Sequence, residues 1–225
     1  MIYRDNNVID TVGMNVTTYQ DNGLELSTTY QYMVKAYNQA GESGVSSCTV
    51  RTPNPPITVT LDRIGVYSDH DPFLREAGEI YLGIVVTDGI KVEESRLPLQ
   101  AGEYYILNDN ETKYVGVQVF STTEVGDYLR VCVIAYEADG GDFEQLIYQA
   151  LGMATEEYIT GGTGISILGI FGVNLGELLG NFFGQEDDLV GSCEYTWNQG
   201  NFWGIGSYSD LAYGDLRLWF TIESQ

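Results

Sequence analysis

Basic side chains are scarce in this chain. Ten lysines and arginines stand against 32 aspartates and glutamates, which gives a formal charge of −22 over 225 residues. A charge of this size repels phosphate backbones and anionic lipid headgroups, so the composition argues against nucleic acid and membrane surfaces as partners. Divalent cations are the partners that it favours.

Cysteine and histidine are also rare. Cys48, Cys132 and Cys193 show no C-x-x-C spacing, which argues against a structural zinc site and allows at most one internal disulfide. His70 is the one histidine, and no G-x-S-x-G, H-E-x-x-H or phosphate-binding glycine loop is present. Acid–base chemistry would therefore depend on carboxylates alone, so we expect a non-enzymatic role.

The residues that are abundant favour an all-β protein. Hydrophobic residues make up 44% of the chain, enough for a real core, and 27 glycines and 17 tyrosines accompany runs of valine, isoleucine and threonine. Three prolines within 52–56 cannot pair in a central strand. We therefore predict a module over 1–53, a linker at 54–56 and a second β-sandwich over 57–225.

The first module contains a predicted β-hairpin. Alternating runs at 29–36 and 44–50 are joined by a polar turn over 38–44. The stretch YRDNNVID and the later TYQDNGLELSTTYQYMVKAYNQAGESGVSS closely resemble the second half of a fibronectin type III domain. The matching positions, where that family places its last strands and its tyrosine corner, are Tyr3, Arg4, Asp21, Leu24, Thr29, Tyr30, Tyr32, Val34, Ala36, Asn38, Gly41 and Ser43.

The resemblance covers only about half of that family's sandwich, because the first strands would precede Met1. Half a sandwich exposes its core and its strand edges. The missing strands are therefore either lost from a truncated fragment or supplied by another chain as donor strands.

The second module is predicted to be a β-sandwich interrupted by one helical hairpin. The hairpin is expected at about 143–184, with a glycine-rich turn at 160–164. Gly172, Gly176, Gly180 and Gly184 are spaced to let another element approach one helix face. The predicted strands are 57–67, 79–87, 104–107, 114–121, 128–137, 190–197 and 216–222.

Acidic residues follow the predicted strand ends. If 128–137 runs antiparallel to 190–197, and 57–67 pairs with 79–87, the acidic turns meet at one end of the sandwich. Calcium takes six to eight oxygens from such loops. The predicted ligands are Asp69, Asp71, Glu79, Glu137, Asp139, Asp142, Asp187 and Asp188. The alternative is an acidic surface that is only solvated.

The order of these features is similar to the calcium-binding C-two domain of protein kinase C and synaptotagmin. The segment LRVCVIAYEAD at 129–139 resembles the strand before that family's third loop, and Asp187 and Asp188 precede two apolar residues and a glycine. The resemblance implies a C-two-like sandwich that binds calcium.

Two further groupings give expectations about bonds and ligands. Cys132 and Cys193 lie at equal distances from the paired strand ends, so they are predicted either to form a disulfide or to remain two buried thiols. Five aromatic residues near the C-terminus either stack on a sugar or pack in the core. They are Trp197, Phe202, Trp203, Tyr208 and Tyr213.

Together these features predict a binding or spacer module of a secreted or cell-surface protein, with calcium as its cofactor. Its role would be in adhesion or as a structural protein. The partner would be another protein chain or a glycan. The alternatives are a self-assembling surface or filament subunit completed by donor strands, and a carbohydrate-binding accessory module of a secreted hydrolase. Self-association would use the edge of 1–53 or the glycine-spaced helix.

Overall fold

The computed structural model describes residues 1–68, 77–100, 103–138 and 189–224. The chain divides into two compact units, Met1–Pro55 and Pro56–Gln225, and the division falls within the proline-rich segment. The predicted helical hairpin at 143–184, with its spaced glycines, lies outside the described residues. Almost all regular structure in the described residues is antiparallel β-sheet, so the prediction of an all-β fold is confirmed.

Unit 1 is built on a single four-stranded sheet. Unit 1 has six strands in all, which are β1 Ile2–Arg4, β2 Asn7–Asp10, β3 Thr29–Val34, β4 Tyr37–Asn38, β5 Gly41–Glu42 and β6 Ser46–Arg51. The sheet order is β2-β1-β3-β6, and β4 pairs with β5 in the turn between β3 and β6. The antiparallel pairing of β3 with β6 confirms the predicted hairpin.

Two tyrosines of β3 fix the segment that precedes it. The Glu25 backbone N–H donates to Tyr30 Oη at 2.9 Å, which is the kind of bond that defines a tyrosine corner. The Tyr32 hydroxyl donates to Asp21 Oδ2 at 2.6 Å, and Arg4 Nη1 donates to the same oxygen at 2.9 Å. The bond from Tyr32 and the nearby Arg4 charge lower the pKa of Asp21.

The bond at Tyr30 gives a test of how unit 1 is held. Tyr30 is buried, so Tyr30→Phe leaves the Glu25 N–H without this acceptor and should lower the free energy of unfolding of unit 1 by about 1 kcal/mol. Urea denaturation followed by NMR signals of unit 1 would measure it. Tyr37 is 56% exposed, and Tyr37→Phe is the matched control. An equal loss in both variants would contradict a specific role for the Tyr30 bond.

The described residues of unit 2 form nine strands. They are β7 Ile57–Val66, β8 Gly78–Thr87, β9 Val92–Leu97, β10 Tyr105–Leu107, β11 Thr112–Thr122, β12 Tyr128–Glu137, β13 Leu189–Asn198, β14 Gly206–Tyr213 and β15 Leu216–Ser224. A short 3-10 helix, Gln199–Gly204, connects β13 to β14. All seven predicted strands of this unit are present, and β9 and β14 are additional.

The nine strands form two sheets. The β7 sheet has the order β11-β7-β15-β14, and the β8 sheet has the order β10-β8-β12-β13, with β9 also paired to β8. The prediction that β7 and β8 form a hairpin is wrong, because each belongs to a different sheet. The physical reason is the length of the connection over 67–77, which lets the chain cross between sheets.

The core lies between these two sheets. Its members alternate along the strands, and among those with no exposed surface are Ile57, Leu61, Ile64, Leu82, Ile84, Leu129, Phe120 and Leu218. In β8 and β12 the residues between the core positions are buried as well, including Tyr81, Val85 and Ile134. These two central strands are therefore covered on both faces, as their near-continuous apolar sequences indicate.

Candidate functional site

Four connections of unit 2 leave the strands at one end, which we call the loop end: 67–77, 108–111, 138–188 and 214–215. In the β7 sheet, Val66 pairs with Leu216 and Gly65 with Thr112. In the β8 sheet, Leu107 pairs with Gly78, while the end of β12 pairs with the starts of β8 and β13. The sheets meet there, because the Asp215 N–H donates to Val190 O at 2.9 Å.

All of the predicted ligands belong to the connections of the loop end or to the strands beside them. Asp69 and Asp71 fall within 67–77, and Asp139, Asp142, Asp187 and Asp188 fall within 138–188. These six residues lie outside the described residues. The predicted antiparallel pairing of β12 with β13 is confirmed, so the two ends of the connection 138–188 start side by side.

Glu79 and Glu137 are the two predicted ligands that the structure describes. Glu137 is a direct partner of Ile80, and direct partners share a sheet face, so Glu137 and Glu79 belong to opposite faces of the β8 sheet. Glu137 is buried, and Glu79 is exposed. The Glu79 N–H donates to Glu137 Oε1 at 3.4 Å, and the Ala138 N–H donates to Glu79 O at 3.0 Å.

The described part of the loop end does not by itself form a metal cluster. Within 1–68, 77–100, 103–138 and 189–224, no three His, Cys, Asp or Glu side chains lie close enough to hold one ion. Glu137, at the end of β12, and Glu79, at the start of β8, are the described carboxylates beside the segments 139–188 and 69–76.

The connection 108–111 belongs to the same end and was not among the predicted acidic turns. Asn108 donates from its backbone N–H and from Nδ2 to Glu111 Oε2, at 2.9 and 2.7 Å. These bonds lower the pKa of Glu111, the backbone bond most strongly. The turn is tied to the first connection, since the Asn110 N–H donates to Tyr67 O at 3.3 Å. The sequence Asn-Asp-Asn-Glu between two strands was the available signal.

A basic side chain lies beside the loop end. The guanidinium of Arg217 stacks 4.7 Å from the ring centre of Tyr67, and its Nε donates to Asp210 Oδ1 at 2.7 Å. The bond to Asp210 raises the pKa of Arg217 and lowers that of Asp210. Arg217 is thus already paired with a carboxylate of its own sheet.

The C-terminal aromatic residues pack at the opposite end of unit 2. Trp197 and Trp203 are buried, and Trp203 Nε1 donates to Gly126 O at 2.9 Å. Tyr208 packs 5.2 Å from Trp197, ring centre to ring centre. Phe202 alone projects, with 73% of its surface exposed. Trp197 and Trp203 therefore pack in the core, Tyr208 is half-buried against Trp197, and Phe202 is the single exposed ring among these four; the Tyr213 side chain lies outside the described part.

The predicted disulfide between Cys132 and Cys193 is wrong, and the alternative of two buried free thiols is confirmed. Val133, not Cys132, is the direct partner of Cys193, so the two thiols face opposite sides of the sheet. Burial raises the pKa of Cys193 to about 12 and raises that of Cys132 well above its ordinary value. Both are protonated and unreactive at neutral pH.

Comparison of the chain with protein-family models, with curated proteins and with solved structures found no match. Within the described residues, no helix has the length and apolar character needed to cross a bilayer.

Proposed function

We propose that this chain is a non-catalytic, extracellular binding or spacer module whose loop end is stabilised by calcium. One observation carries the proposal: the strand registers bring the acidic connections 67–77 and 138–188 to the same end of one sandwich. A two-sheet sandwich is also the architecture that the C-two resemblance implies. In this proposal unit 1 is a fibronectin-type module that connects the calcium-stabilised unit to its neighbours.

Electrostatics supports a cation at the loop end. The connection 67–77 contributes Asp69, Asp71 and Glu76, and 138–188 adds Asp139, Asp142 and the run 186–188. The first connection leads into the start of β8, which pairs with the end of β12, where the second connection begins. Holding such carboxylates together raises the free energy of the folded state unless a counter-charge is shared among them. Calcium supplies that charge and accepts the irregular oxygen geometry of loops.

Calcium should raise the melting temperature of unit 2. Binding to the folded form alone, at a calcium concentration 100 times the dissociation constant, adds about 2.7 kcal/mol to the free energy of unfolding. For a unit of this size that corresponds to a rise of roughly 5–10 °C. Calorimetry in chelator and in calcium, at matched ionic strength, measures it. An unchanged melting temperature would overturn the proposal.

A pair of matched variants separates bound calcium from general screening. Asp187→Asn combined with Asp188→Asn removes two charges from the connection 138–188 and should abolish most of the calcium response. Asp127→Asn combined with Glu223→Gln removes two charges from exposed residues at the opposite end and should leave it intact. Equal losses in both double variants would show that calcium acts by screening alone, which contradicts a site at the loop end.

A second candidate function is a self-assembling subunit completed by donor strands. It is favoured by the single sheet of unit 1, whose apolar face leaves Val34 52% and Val50 47% exposed. A cavity of about 550 Å³ between this face and the segment before β3 is lined by Ile2, Val16, Leu24 and Val34 among others. Assemblies larger than a dimer in light scattering, abolished by Val34→Asp, would support it; their absence would contradict it.

A further inference from the structure

Strand β6 is an edge strand of unit 1. It follows β3 at the end of the order β2-β1-β3-β6, and all six of its residues are exposed. Its pairing with β3 runs without a register shift from Ser46 opposite Val34 to Arg51 opposite Thr29. A regular, exposed edge of this length is a template for another strand.

Hydrogen bonds on both sides of β3 show which groups of β6 face outward. The Met1 amine and the Lys35 N–H exchange bonds with each other's carbonyl groups at 2.9 and 3.1 Å, so the odd-numbered residues of β3 face β1. The Thr52 N–H donates to Thr28 O at 2.9 Å, so the even-numbered residues of β3 and β6 face each other. The N–H and C=O groups of Ser47, Thr49 and Arg51 therefore point away from the sheet.

Other edges in the described part of the chain carry features that discourage pairing. Strand β11 has two register shifts, and β14 has one beside Asp210. Strand β9 carries Glu93 and Glu94, and β13 carries Glu194 and has one register shift. Strand β10 is three residues long, and β2 is four residues long and ends at Asp10. By contrast, β6 contains no proline, lysine or acidic residue and no bulge. It lacks the usual devices that block strand addition.

The charge distribution favours unit 1 over unit 2 as the site of contact between two copies of the chain. Residues 1–55 contain three basic and five acidic side chains, a net charge of −2, which leaves −20 of the total −22 on the rest of the chain. Copies of unit 2 repel each other strongly, whereas copies of unit 1 hardly do.

We propose that the protein forms a two-fold symmetric homodimer by antiparallel pairing of β6 with β6 of a second copy, with the axis at Thr49. In this register the outward backbone groups of the strand pair across the axis. Thr49 exchanges two hydrogen bonds with Thr49 of the second copy, and Ser47 of each copy exchanges two with Arg51 of the other. The same register also places Cys48 opposite Val50 of the second copy. These two residues are exposed on the same face as Tyr30 and Tyr32. The two-fold axis repeats the contact between Cys48 and Val50 on its other side, so apolar surface is covered at two places.

Sedimentation equilibrium in chelator and reducing agent tests the dimer. The unaltered chain should be a dimer, and Thr49→Pro, which removes the central N–H, should be a monomer over the same concentrations. Thr49→Lys places like charges directly opposite each other and should raise the dissociation constant at least tenfold. Gln31→Lys is the matched control: Gln31 is exposed and pairs with Thr49 inside the sheet, and this variant should remain dimeric.

Two outcomes would overturn the dimer. One is a monomeric unaltered chain at every concentration, and the other is a dimer that persists in Thr49→Pro. Amide NMR spectra of the proline variant confirm that unit 1 remains folded, so a monomeric result cannot come from unfolding.

Oxidative crosslinking tests the register. Cys48 and residue 50 of the second copy form a non-hydrogen-bonded pair with Cα atoms about 4.5 Å apart, within the range for a disulfide. Val50→Cys should therefore give a covalent dimer when glutathione disulfide is added: two protein thiols exchange with one glutathione disulfide to give one protein disulfide and two reduced glutathiones. Ser46→Cys, one pair further out, and the unaltered chain should remain non-covalent. Equal crosslinking of the unaltered chain would place the axis at Cys48 and overturn this register.

Discussion

Replacing Gly126 with alanine is expected to cause one of the two largest losses of stability in unit 2, about 3 kcal/mol. An added Cβ at this position would meet the backbone oxygen of Asp88. Asp88 cannot move aside, because it is 1% exposed and its carboxylate accepts from the N–H groups of Ile90, Lys91 and Gly126. The two connections 88–91 and 123–127 are therefore held in contact through one glycine.

Calorimetry measures this loss as a fall of roughly 6–12 °C in the melting temperature of unit 2. Gly13→Ala is the control, since a Cβ there would meet no atom within 4 Å. It should leave the melting curve unchanged. A fall of less than about 2 °C for Gly126→Ala would contradict the close packing of these two connections.

The strands of the sandwich could be predicted where burial dominates the sequence. In β8 and β12 the apolar residues are almost continuous, and both strands are central and covered on both faces. Strand β9, with the sequence VEESRL, was missed because three of its six side chains are charged. Its pairing to β8 comes from backbone hydrogen bonds that composition does not reveal.

Strand β14 was missed for a different reason. It contains serine, glycine and aspartate, and its register shifts between Tyr208 and Leu211, where Asp210 has a φ of 56°. A bulge of this kind breaks the two-residue alternation on which strand prediction depends. The pairing of β14 with β15 therefore comes from tertiary structure rather than from local pattern.

For the candidate site, the sequence predicted the common end but not the side-chain geometry. The antiparallel pairing of β12 with β13, which alternation indicates, correctly predicts that the two ends of 138–188 lie side by side. The placement of 67–77 at the same end was predicted from a β7–β8 hairpin that the structure does not contain. Whether Glu79 and Glu137 share a face depends on register, and a shift of one residue reverses it. The sequence contains no direct measure of register, so the structure was needed to place them on opposite faces.

The same limit applies to cysteines and aromatics. Equal spacing from the strand ends predicts that Cys132 lies beside Cys193. The observed register pairs Cys193 with Val133 instead, so the two cysteine side chains lie on opposite faces of the sheet. Phe202 and Trp203 are neighbours in sequence, and both have positive φ values, 51° and 50°. The turn nevertheless exposes one ring and buries the other. Gly204 completes this turn at φ 73°, against the Trp197 ring, where an added Cβ would lie 2.6 Å from the nearest ring atom.

This neighbouring pair gives the last prediction. Trp203→Ala should lower the free energy of unfolding of unit 2 by about 3–5 kcal/mol, because it empties a core position that is 3% exposed and leaves Gly126 O without its indole donor. Phe202→Ala removes an aromatic ring of the same turn that is 73% exposed, and it should change stability by less than about 0.5 kcal/mol. Urea denaturation followed by near-ultraviolet circular dichroism measures both. Similar losses in the two variants would contradict the division into one buried and one exposed ring. This division argues against an aromatic sugar platform at the end of unit 2 opposite the loop end.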